Sequence, residues 1–406
     1  MFIREMSLAD FKEFANTHFI GNFHESINYA LIKAEEGFEY EFIAYGADDI
    51  VGAALILYKK IGSVYFGYSP RGFLIDYSND YLLEDFTNKI KEYYKNRNFA
   101  FIKINPEIAI AKLNKDTMNF EYNENYKIID MLTKNGYKKL KSNMNFEALL
   151  PRVNAIIKLD GYDYNNLSKN TRNKVKKGIR KGLILEKANP DKLNIFYKFI
   201  KNKINRDEYY YNDFYNVFSK TLDVDLMLVK VDYKAFLINA QEAYNEELRR
   251  NASFNNKLIT NNNANAINAK MNSDKALLSY KNDIAEASKN LNTGLETYVA
   301  GALVIKHQNR VIIQISGFNK AMSRFSPNYF LYYALIKYYQ QEYKYLDLNG
   351  ITADLSKENH YYGLNRFKMG FNPDVYEYIG EFDLVIDEKL YDKLLKSGAL
   401  AKEFNK

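Results

Sequence analysis

Amine and carboxylate side chains stand close together in residues 365–386, and groups of this kind could carry out acyl transfer. Lys368 comes just before a turn, and Glu381 and Asp383 follow in a segment rich in aromatic and β-branched residues. A cation can stabilise the oxyanion of a reacting carbonyl, and a carboxylate can accept the proton of an attacking amine. The same residues also fit a last helix and strand whose charges are solvated, so the pattern leaves both interpretations open.

The local sequence predicts the elements that carry these charges. A helical run should end at Gly370, where glycine can adopt a left-handed cap conformation, and Pro373 prevents the helix from continuing. From Val375 onward the residues favour one strand, which would include Glu381. Lys368 is therefore expected on a helix that leads directly into a strand.

The composition excludes several kinds of site. The 406 residues contain no Cys and only four His, none at HExxH spacing, so thiolate nucleophiles and zinc sites are not expected. No apolar run approaches the ~20 residues of a membrane span, and no secretory signal is recognised, so a cytoplasmic protein is predicted. The net charge of +7 favours anionic partners such as phosphates, RNA or an acidic membrane face.

A basic segment occupies residues 169–187. It holds eight Lys and Arg residues against one acidic residue, Glu186, and is predicted to be helical as far as Gly182. Such a run is either a solvated helix face or a phosphate-binding surface whose affinity would fall with salt. In the second case the residues expected to contact RNA are Arg172, Lys176, Lys177 and Arg180.

The order of strands, charged loop, helix and strand occurs twice in the chain. Residues 50–58 (IVGAALILY) resemble residues 298–306 (YVAGALVIK), and residues 99–105 (FAFIKIN) resemble residues 343–349 (YKYLDLN). We infer an internal duplication of one α/β unit, and this unit resembles the core of the GNAT acyltransferase fold. The predicted domains are residues 1–152 plus 380–406, and residues 153–379.

Residues 234–297 interrupt the second copy. They contain no Pro and a single Gly, and apolar residues recur at helical spacing on either side of a turn at residues 260–264. The prediction is an antiparallel helical hairpin arm that packs mainly on itself. It could bind tRNA or form a dimer, although its small overall net charge argues against strong RNA binding by the arm alone.

The end of the chain resembles the signature of the Fem family of peptidoglycan interpeptide-bridge aminoacyltransferases. The match lies in Phe367-Lys368 and in residues 378–385 (YIGEFDLV). Near the N-terminus a Gln-x(3)-Trp-Ala-x-x-Lys-like family pattern corresponds to Glu25, Tyr29, Ala30 and Lys33, so the Lys is kept whereas the Gln and Trp are replaced. A further match precedes the basic run, at residues 167–172 (LSKNTR).

The resemblance implies a fold and a reaction. Fem proteins transfer an amino acid from aminoacyl-tRNA to an amine on the stem peptide of a lipid-linked or nucleotide-linked peptidoglycan precursor. The fold implied is α/β (mixed α+β), with two tandem GNAT-like units. No cofactor or metal is expected, because the aminoacyl ester is already activated. The partners implied are aminoacyl-tRNA and lipid II or UDP-MurNAc-pentapeptide, with peripheral contact at the inner membrane face as an open possibility.

The resemblance also implies roles for individual residues. Lys368 would lie near the reacting carbonyl and Glu381 would line the site. Lys33 and Arg206 would bind the precursor's pyrophosphate, with Tyr210, one of three adjacent tyrosines in a predicted polar loop, beside Arg206. From the residues themselves, the loop at 69–76 adds Arg71 as a substrate-binding candidate and Asp76 as a candidate base, although proton loss through water or the substrate is an alternative.

Two other functions are compatible with the sequence. A GNAT-type N-acyltransferase would use acyl-CoA, but the loop that holds its pyrophosphate, (Gln/Arg)-x-x-Gly-x-(Gly/Ala), is absent from both copies. A non-catalytic RNA-binding scaffold would use the basic run and the arm, and its activity would not depend on Lys368. The amino acid transferred, its place in the bridge and the carrier of the acceptor are not specified by the sequence.

Overall fold

The computed structural model describes residues 1–147, 149–203, 205–221, 223–260 and 263–404. Its strands are β1 (Phe2–Glu5), β2 (Glu39–Gly46), β3 (Ile50–Ile61), β4 (Val64–Ser69), β5 (Phe99–Ile104), β6 (Ala109–Leu113), β7 (Phe120–Tyr122), β8 (Tyr137–Lys139), β9 (Val153–Lys158), β10 (Leu183–Ala188), β11 (Val224–Val231), β12 (Tyr298–His307), β13 (Arg310–Phe318), β14 (Tyr345–Ile351), β15 (Asp374–Tyr378) and β16 (Phe382–Val385). Its helices are α1 (Leu8–Thr17), α2 (Ile27–Glu35), α3 (Asp80–Lys95), α4 (Ile128–Lys134), α5 (Lys169–Arg180), α6 (Leu193–Ile200), α7 (Glu208–Ser219), α8 (Tyr233–Thr260), α9 (Ala264–Leu291), α10 (Pro327–Tyr339), α11 (Tyr362–Met369), α12 (Glu388–Ser397) and α13 (Ala399–Phe404).

Two mixed sheets organise these strands. The first has the order β1-β2-β3-β4-β5-β16-β8, and the second has the order β10-β11-β12-β13-β14-β9-β15-β6-β7. In each sheet four antiparallel strands are followed by one parallel pair, β4 with β5 and β13 with β14. Parallel neighbours need a crossover, which α3 provides in the first copy and α10 in the second. The inferred duplication is therefore present.

The helical arm is inserted at one hairpin of the second copy. In the first copy β2 and β3 are joined by a short turn, whereas the equivalent strands β11 and β12 are separated by α8 and α9. The facing sides of the two arm helices carry polar contacts, since Asn251 donates to the hydroxyl of Ser273 at 3.0 Å and Ser273 donates to Glu247 at 2.6 Å. Of the predicted turn at 260–264, residues 261 and 262 lie outside the described residues.

The chain end differs from the prediction of a single strand. β15 pairs with β9 in the second sheet, whereas β16 pairs with β5 and β8 in the first, so Glu381 lies in the connection between two strands. Gly380 has φ +90°, a conformation that favours glycine, and it allows the chain to turn between the sheets. Two strands from the range predicted for the first domain, β6 and β7, extend the second sheet.

The helix cap before this connection was also predicted wrongly. Gly370 is right-handed with φ −61°, and the left-handed residue is Asn372 with φ +55°. Steric crowding explains why residue 370 is glycine, because a Cβ at this position would lie 2.2 Å from Thr171 Oγ1 on α5. The glycine thus permits the close approach of α5 and α11.

The two sheets share a hydrophobic core. One buried cluster combines Leu57 of β3 with Leu226 of β11 and Leu303 of β12, and Phe196 and Phe218 from α6 and α7 pack in the same cluster. Because apolar side chains from both copies are removed from water together, the sheets stabilise one another. Among the described residues, no helix has the length and apolar character needed to cross a membrane.

Candidate active site

Lys33, Arg206 and Tyr210 meet around one carboxylate, that of Glu36. Lys33 Nζ lies 2.9 Å from Glu36 Oε2, and Arg206 Nη2 lies 2.9 Å from Glu36 Oε1. The Arg206 guanidinium carbon is 4.6 Å from the centre of the Tyr210 ring, within cation–π range. Three residues predicted to bind substrate therefore form one cluster, and two of them are cations that share a single anion.

Local capping places the members of this cluster. The hydroxyl of Ser26 accepts from the backbone N–H of Tyr29 and begins α2, so Lys33 falls in the last turn of that helix. Asp207 accepts from the backbone N–H of Tyr210 at 2.9 Å and begins α7. Tyr210 is thus on a helix rather than in the predicted polar loop.

The cluster borders a small cavity in the second copy. The cavity has a volume of about 100 Å³ and is lined by Arg206 and Tyr210 together with Leu303 and Gln314 of the second sheet. Burial raises the pKa of Tyr210 to about 12, so its hydroxyl remains a neutral donor at physiological pH. The side chains of Lys33 and Arg206 keep 19% and 27% exposure, so an anion arriving from solvent could reach both cations.

A second charged cluster surrounds Arg71. This residue has φ +61°, which is uncommon for a side chain other than glycine, and its backbone N–H donates to Asn105 Oδ1 at 2.9 Å. Its Nε lies 3.7 Å from Glu107 Oε2 and has no hydrogen-bond partner. Glu107 also pairs with Arg310 and accepts from the Tyr378 hydroxyl at 3.1 Å. One carboxylate therefore holds two arginines from different copies.

The charge of Glu107 depends on those arginines. Burial acts to raise its pKa, but the positive charges of Arg310 and Arg71 outweigh burial, so the pKa lies below the ordinary glutamate value. Arg310 also lies 3.8 Å from Asp347 Oδ2, and Asp347 in turn accepts from Asn154 at 3.1 Å. A continuous set of buried charges thus leads from the loop at 69–76 into β14.

Lys368 stands at the far end of this set. It lies in the last turn of α11 with 6% exposure, and its Nζ donates to the carbonyl of Gly350 at 2.6 Å. On the same helix, Asn365 donates to the Thr352 hydroxyl at 2.5 Å, which fixes α11 against the end of β14. Burial lowers the pKa of Lys368 to about 7, although the charge of Asp347 opposes the shift. The amine is therefore poised between its charged and neutral forms.

Glu381 is half-buried in the connection between the two sheets. Burial raises the pKa of its carboxyl, with the Lys103 charge acting in the opposite direction, and its Oε1 has no hydrogen-bond partner. Its charge and that of Arg71 both act on the buried hydroxyl of Tyr68. Asp383 is instead tied to Lys103 at 2.7 Å, so its role is structural.

Asp76 is not brought to these clusters. Its Oδ1 accepts from the backbone N–H of Ser78 at 2.9 Å and from the Ser78 hydroxyl at 2.6 Å, as expected for a turn residue. In these clusters the carboxylates of Glu36 and Glu107 contact predicted site residues, and the charge of Asp347 acts on Lys368.

The predicted RNA-binding residues lie along α5, beside the base of the arm. Lys176 and Arg180 are exposed, whereas Arg172 donates to the backbone carbonyl of Asn165 at 3.2 Å. Lys177 and Arg180 line a cavity of about 380 Å³ between α5 and the arm, where Arg180 approaches the Tyr280 hydroxyl at 3.4 Å. The basic helix and the arm therefore form one continuous surface.

Comparison with known proteins shows which family the chain belongs to. A family model described as the FemAB family matches residues 6–396. The chain belongs to the FemAB family. It is 26% identical over 396 residues to the lipid II:glycine glycyltransferase of Staphylococcus aureus strain USA300, covering 93% of this chain and 91% of that protein, and the values are the same for strain COL.

The fold is similar to that of a solved FemAB relative. The crystal structure of FemX superimposes with a TM-score of 0.76 at 23% sequence identity, covering 97% of this chain and all of that one. This agreement confirms the predicted fold of two GNAT-like units, and the family model confirms the predicted family. Family membership also confirms the prediction that the protein is a transferase.

Several residues of the candidate site had no role in the sequence analysis. Glu36 pairs with Lys33 and Arg206, and Arg310 links Glu107 to Asp347, but nothing in their local sequence distinguishes these residues from surface charges. Glu107 offered a weak signal, since it follows the end of the predicted strand at Asn105-Pro106. Acids at strand ends commonly line sites, but here only the fold brings its arginine partners together.

Proposed function

We propose that this FemAB protein transfers an amino acid, with glycine the first candidate, from aminoacyl-tRNA to the stem-peptide amine of lipid II. The observation that carries the proposal is the similarity along nearly the whole chain to proteins named lipid II:glycine glycyltransferase. A match of this extent includes both copies, the arm and the chain end. The clusters around Glu36 and Lys368 give the proposal a physical basis.

The pyrophosphate of the acceptor would bind at the cluster around Glu36. Lys33 and Arg206 share one carboxylate, so their combined charge is positive and an incoming diphosphate can replace Glu36 as their partner. Each charge-assisted hydrogen bond to phosphate would contribute roughly 1.5–3 kcal/mol. Tyr210 adds a neutral donor beside Arg206, and Arg71 supplies further positive charge deeper in the site.

Lys368 would act on the reacting carbonyl. The acceptor amine attacks the aminoacyl ester, the carbonyl oxygen gains negative charge, and the tRNA hydroxyl leaves as the amide bond forms. The ammonium form of Lys368 can stabilise that oxygen. Because its pKa is about 7, the same group can change its protonation state during a turnover at neutral pH.

The proton of the amine needs an acceptor. Glu381 is the better placed of the two predicted carboxylates, because it is half-buried, has a buried oxygen without a hydrogen-bond partner and has a raised pKa. Asp76 remains a candidate, but its contacts are those of a turn residue, and proton loss through water remains the alternative. No metal or cofactor is required by this scheme, since the ester itself is activated.

The donor tRNA would lie along α5, at Arg172, Lys176, Lys177 and Arg180. These four residues belong to one basic helix with open solvent on one side. Phosphate contacts of this kind make affinity depend strongly on salt.

The test is transfer of labelled amino acids from a charged bulk tRNA pool to purified lipid II and, separately, to UDP-MurNAc-pentapeptide. Wild type is compared with Lys368→Met, which has a similar volume and no charge. Label on lipid II with wild type alone supports the proposal and identifies the amino acid. Folded wild type that labels neither acceptor overturns it, and acyl-CoA binding measured by calorimetry would then favour a GNAT-type acyltransferase.

A further inference from the structure

The charge of the helical arm is divided along its length. Residues 249–275, which lie beyond the contacts of the arm with α5, hold five basic residues and one acidic residue, Asp274. The proximal segments, 233–248 and 276–291, hold three basic and five acidic residues. The small net charge of the whole arm therefore conceals a basic distal half and an acidic base.

Apolar side chains are exposed on the same distal half and for one further turn of α9 toward the body. Ile267, Met271 and Leu278 follow one another at spacings of four and seven on α9, and their exposed fractions are 42%, 50% and 62%. Ile259 near the end of α8 is 84% exposed. Helical spacing places the α9 residues on a single stripe, which we call the distal apolar stripe.

The distal apolar stripe points away from the partner helix. The sides of α8 and α9 that face each other hold the buried polar residues Glu247, Asn251 and Ser273, linked by hydrogen bonds. On α9, Lys275 and Lys281 flank the stripe, are exposed and form no ion pair among the residues that the structure describes. The arm thus buries polar groups inside and leaves apolar groups between lysines outside.

From this arrangement we propose that the distal half of the arm docks on the surface of an anionic lipid bilayer. Basic side chains are attracted to anionic headgroups, and apolar side chains between them can enter the boundary between headgroups and acyl chains. RNA would explain the basic residues, because its backbone recruits cations. It would not explain a stripe of exposed Ile, Met and Leu, so the combination favours a membrane.

The length of the arm relates this docking surface to the position of a membrane-linked substrate. Each arm helix has 28 residues and is therefore roughly 40 Å long at 1.5 Å per residue. The proximal part packs against α5, where Lys181 pairs with Asp283, so only the distal part projects from the body. An enzyme held off the bilayer by this projection can reach a headgroup-linked substrate without entering the bilayer. The docking surface itself does not depend on the proposed acyl transfer, although its use in bringing the site to lipid II does.

Vesicle sedimentation with the full-length protein tests the proposal. Vesicles of phosphatidylcholine alone are compared with vesicles in which phosphatidylglycerol replaces part of it. One variant combines Arg249→Gln, Lys275→Gln and Lys281→Gln, and a second combines Ile267→Ser, Met271→Ser and Leu278→Ser. Each lysine or arginine near an anionic surface contributes about 1 kcal/mol, so the first variant should bind mixed vesicles at least tenfold more weakly, and the second should also lose binding.

Matched control variants test whether the loss of vesicle binding is specific to substitutions in the arm. Lys95→Gln, Lys127→Gln and Lys141→Gln together remove three exposed charges from the first copy, and Phe19→Ser with Tyr81→Ser removes exposed apolar groups there. Both control variants should bind as wild type. Equal loss in the controls, or unchanged binding in both arm variants, would overturn the proposal.

Two further readouts separate this surface from the acyl-transfer site. In a gel-shift assay with bulk tRNA, the serine variant should bind as wild type. The proposal is wrong if the charge variant loses tRNA binding while both arm variants keep vesicle binding, because the distal half would then be an RNA-binding surface. Transfer to lipid II in neutral detergent micelles, where no anionic bilayer is present, should be unchanged in both arm variants. A failure of the acyl-transfer proposal would appear in wild type in this assay and would leave the vesicle result intact.

Discussion

Arg206 contacts Glu36 across the boundary between the two copies of the repeated unit, with 2.9 Å between Nη2 and Oε1. Glu36 follows helix α2 in the first copy, and Arg206 precedes helix α7 in the second. The same carboxylate also holds Lys33. One contact that joins the copies is therefore also the contact that the proposed anionic substrate would rearrange.

Removing either cation should weaken acceptor binding. For Arg206→Ala and for Lys33→Ala we expect KM for lipid II to rise about tenfold or more, because a charge-assisted hydrogen bond of roughly 1.5–3 kcal/mol is lost. The value of kcat should change little, since the pyrophosphate is remote from the reacting carbonyl. Steady-state transfer assays give both constants. Lys138→Ala, which removes an exposed cation paired with Glu388, is the control and should leave KM unchanged.

The stability of the protein should depend on pH through Lys368. Its pKa in the folded chain is about 7 and its ordinary value is 10.5, so between these values the unfolded chain binds one more proton than the folded chain. The free energy of unfolding should then rise with pH by about 1.4 kcal/mol per pH unit from this group. Urea unfolding of wild type and Lys368→Met at pH 7, 8 and 9 isolates the effect, and parallel pH dependence in the two proteins would contradict it.

Glu107→Gln should destabilise the fold strongly. The substitution keeps the shape of the side chain but leaves Arg71 and Arg310 without their shared anion, and breaking a buried ion pair costs about 3–5 kcal/mol. Because the pKa of Glu107 is lowered, its contribution is complete above the ordinary glutamate pKa and is lost as the pH falls through the folded value. Chemical unfolding at neutral and acidic pH measures both effects. Glu388→Gln, at an exposed pair, should change stability by less than about 0.5 kcal/mol.

Two glycines on and beside α11 should respond in opposite ways to alanine. Gly370→Ala places a Cβ 2.2 Å from Thr171 Oγ1, so it should destabilise the protein and displace Lys368. Gly363 lies inside the helix, and a methyl group added there would meet no neighbouring residue within 4 Å, so Gly363→Ala should stabilise by about 0.5–1 kcal/mol. Thermal unfolding compares the two variants, and Thr171→Ala added to Gly370→Ala should recover part of the loss.

The elements that sequence reasoning predicted best were those with strong local patterns. The similarity of residues 50–58 to 298–306 revealed the repeat, and the absence of Pro across residues 234–297 predicted the arm. The cluster of Lys33, Arg206 and Tyr210 followed from the family resemblance, because local sequence alone would make each a surface residue.

Features that depend on distant pairing were not predictable. Residues 375–385 have the composition of one strand. The predicted domain boundary at 379/380 already separated its two parts, but their pairing with β9 and β5 could not be inferred from local sequence. Arg310 and Glu107 are far apart in sequence, so their ion pair could not be inferred from spacing. Asp76 was given a catalytic role from its loop, but its carboxylate is occupied by Ser78.

The position of β16 has a consequence for the order in which the protein can fold. This strand comes from the end of the described chain, yet it lies between β5 and β8 inside the first sheet. During synthesis, N-terminal domains usually fold before the rest of the chain has emerged. Here β8 has no neighbour in its sheet until residues 382–385 leave the ribosome, so the first copy of the unit completes its sheet only after the second has been made.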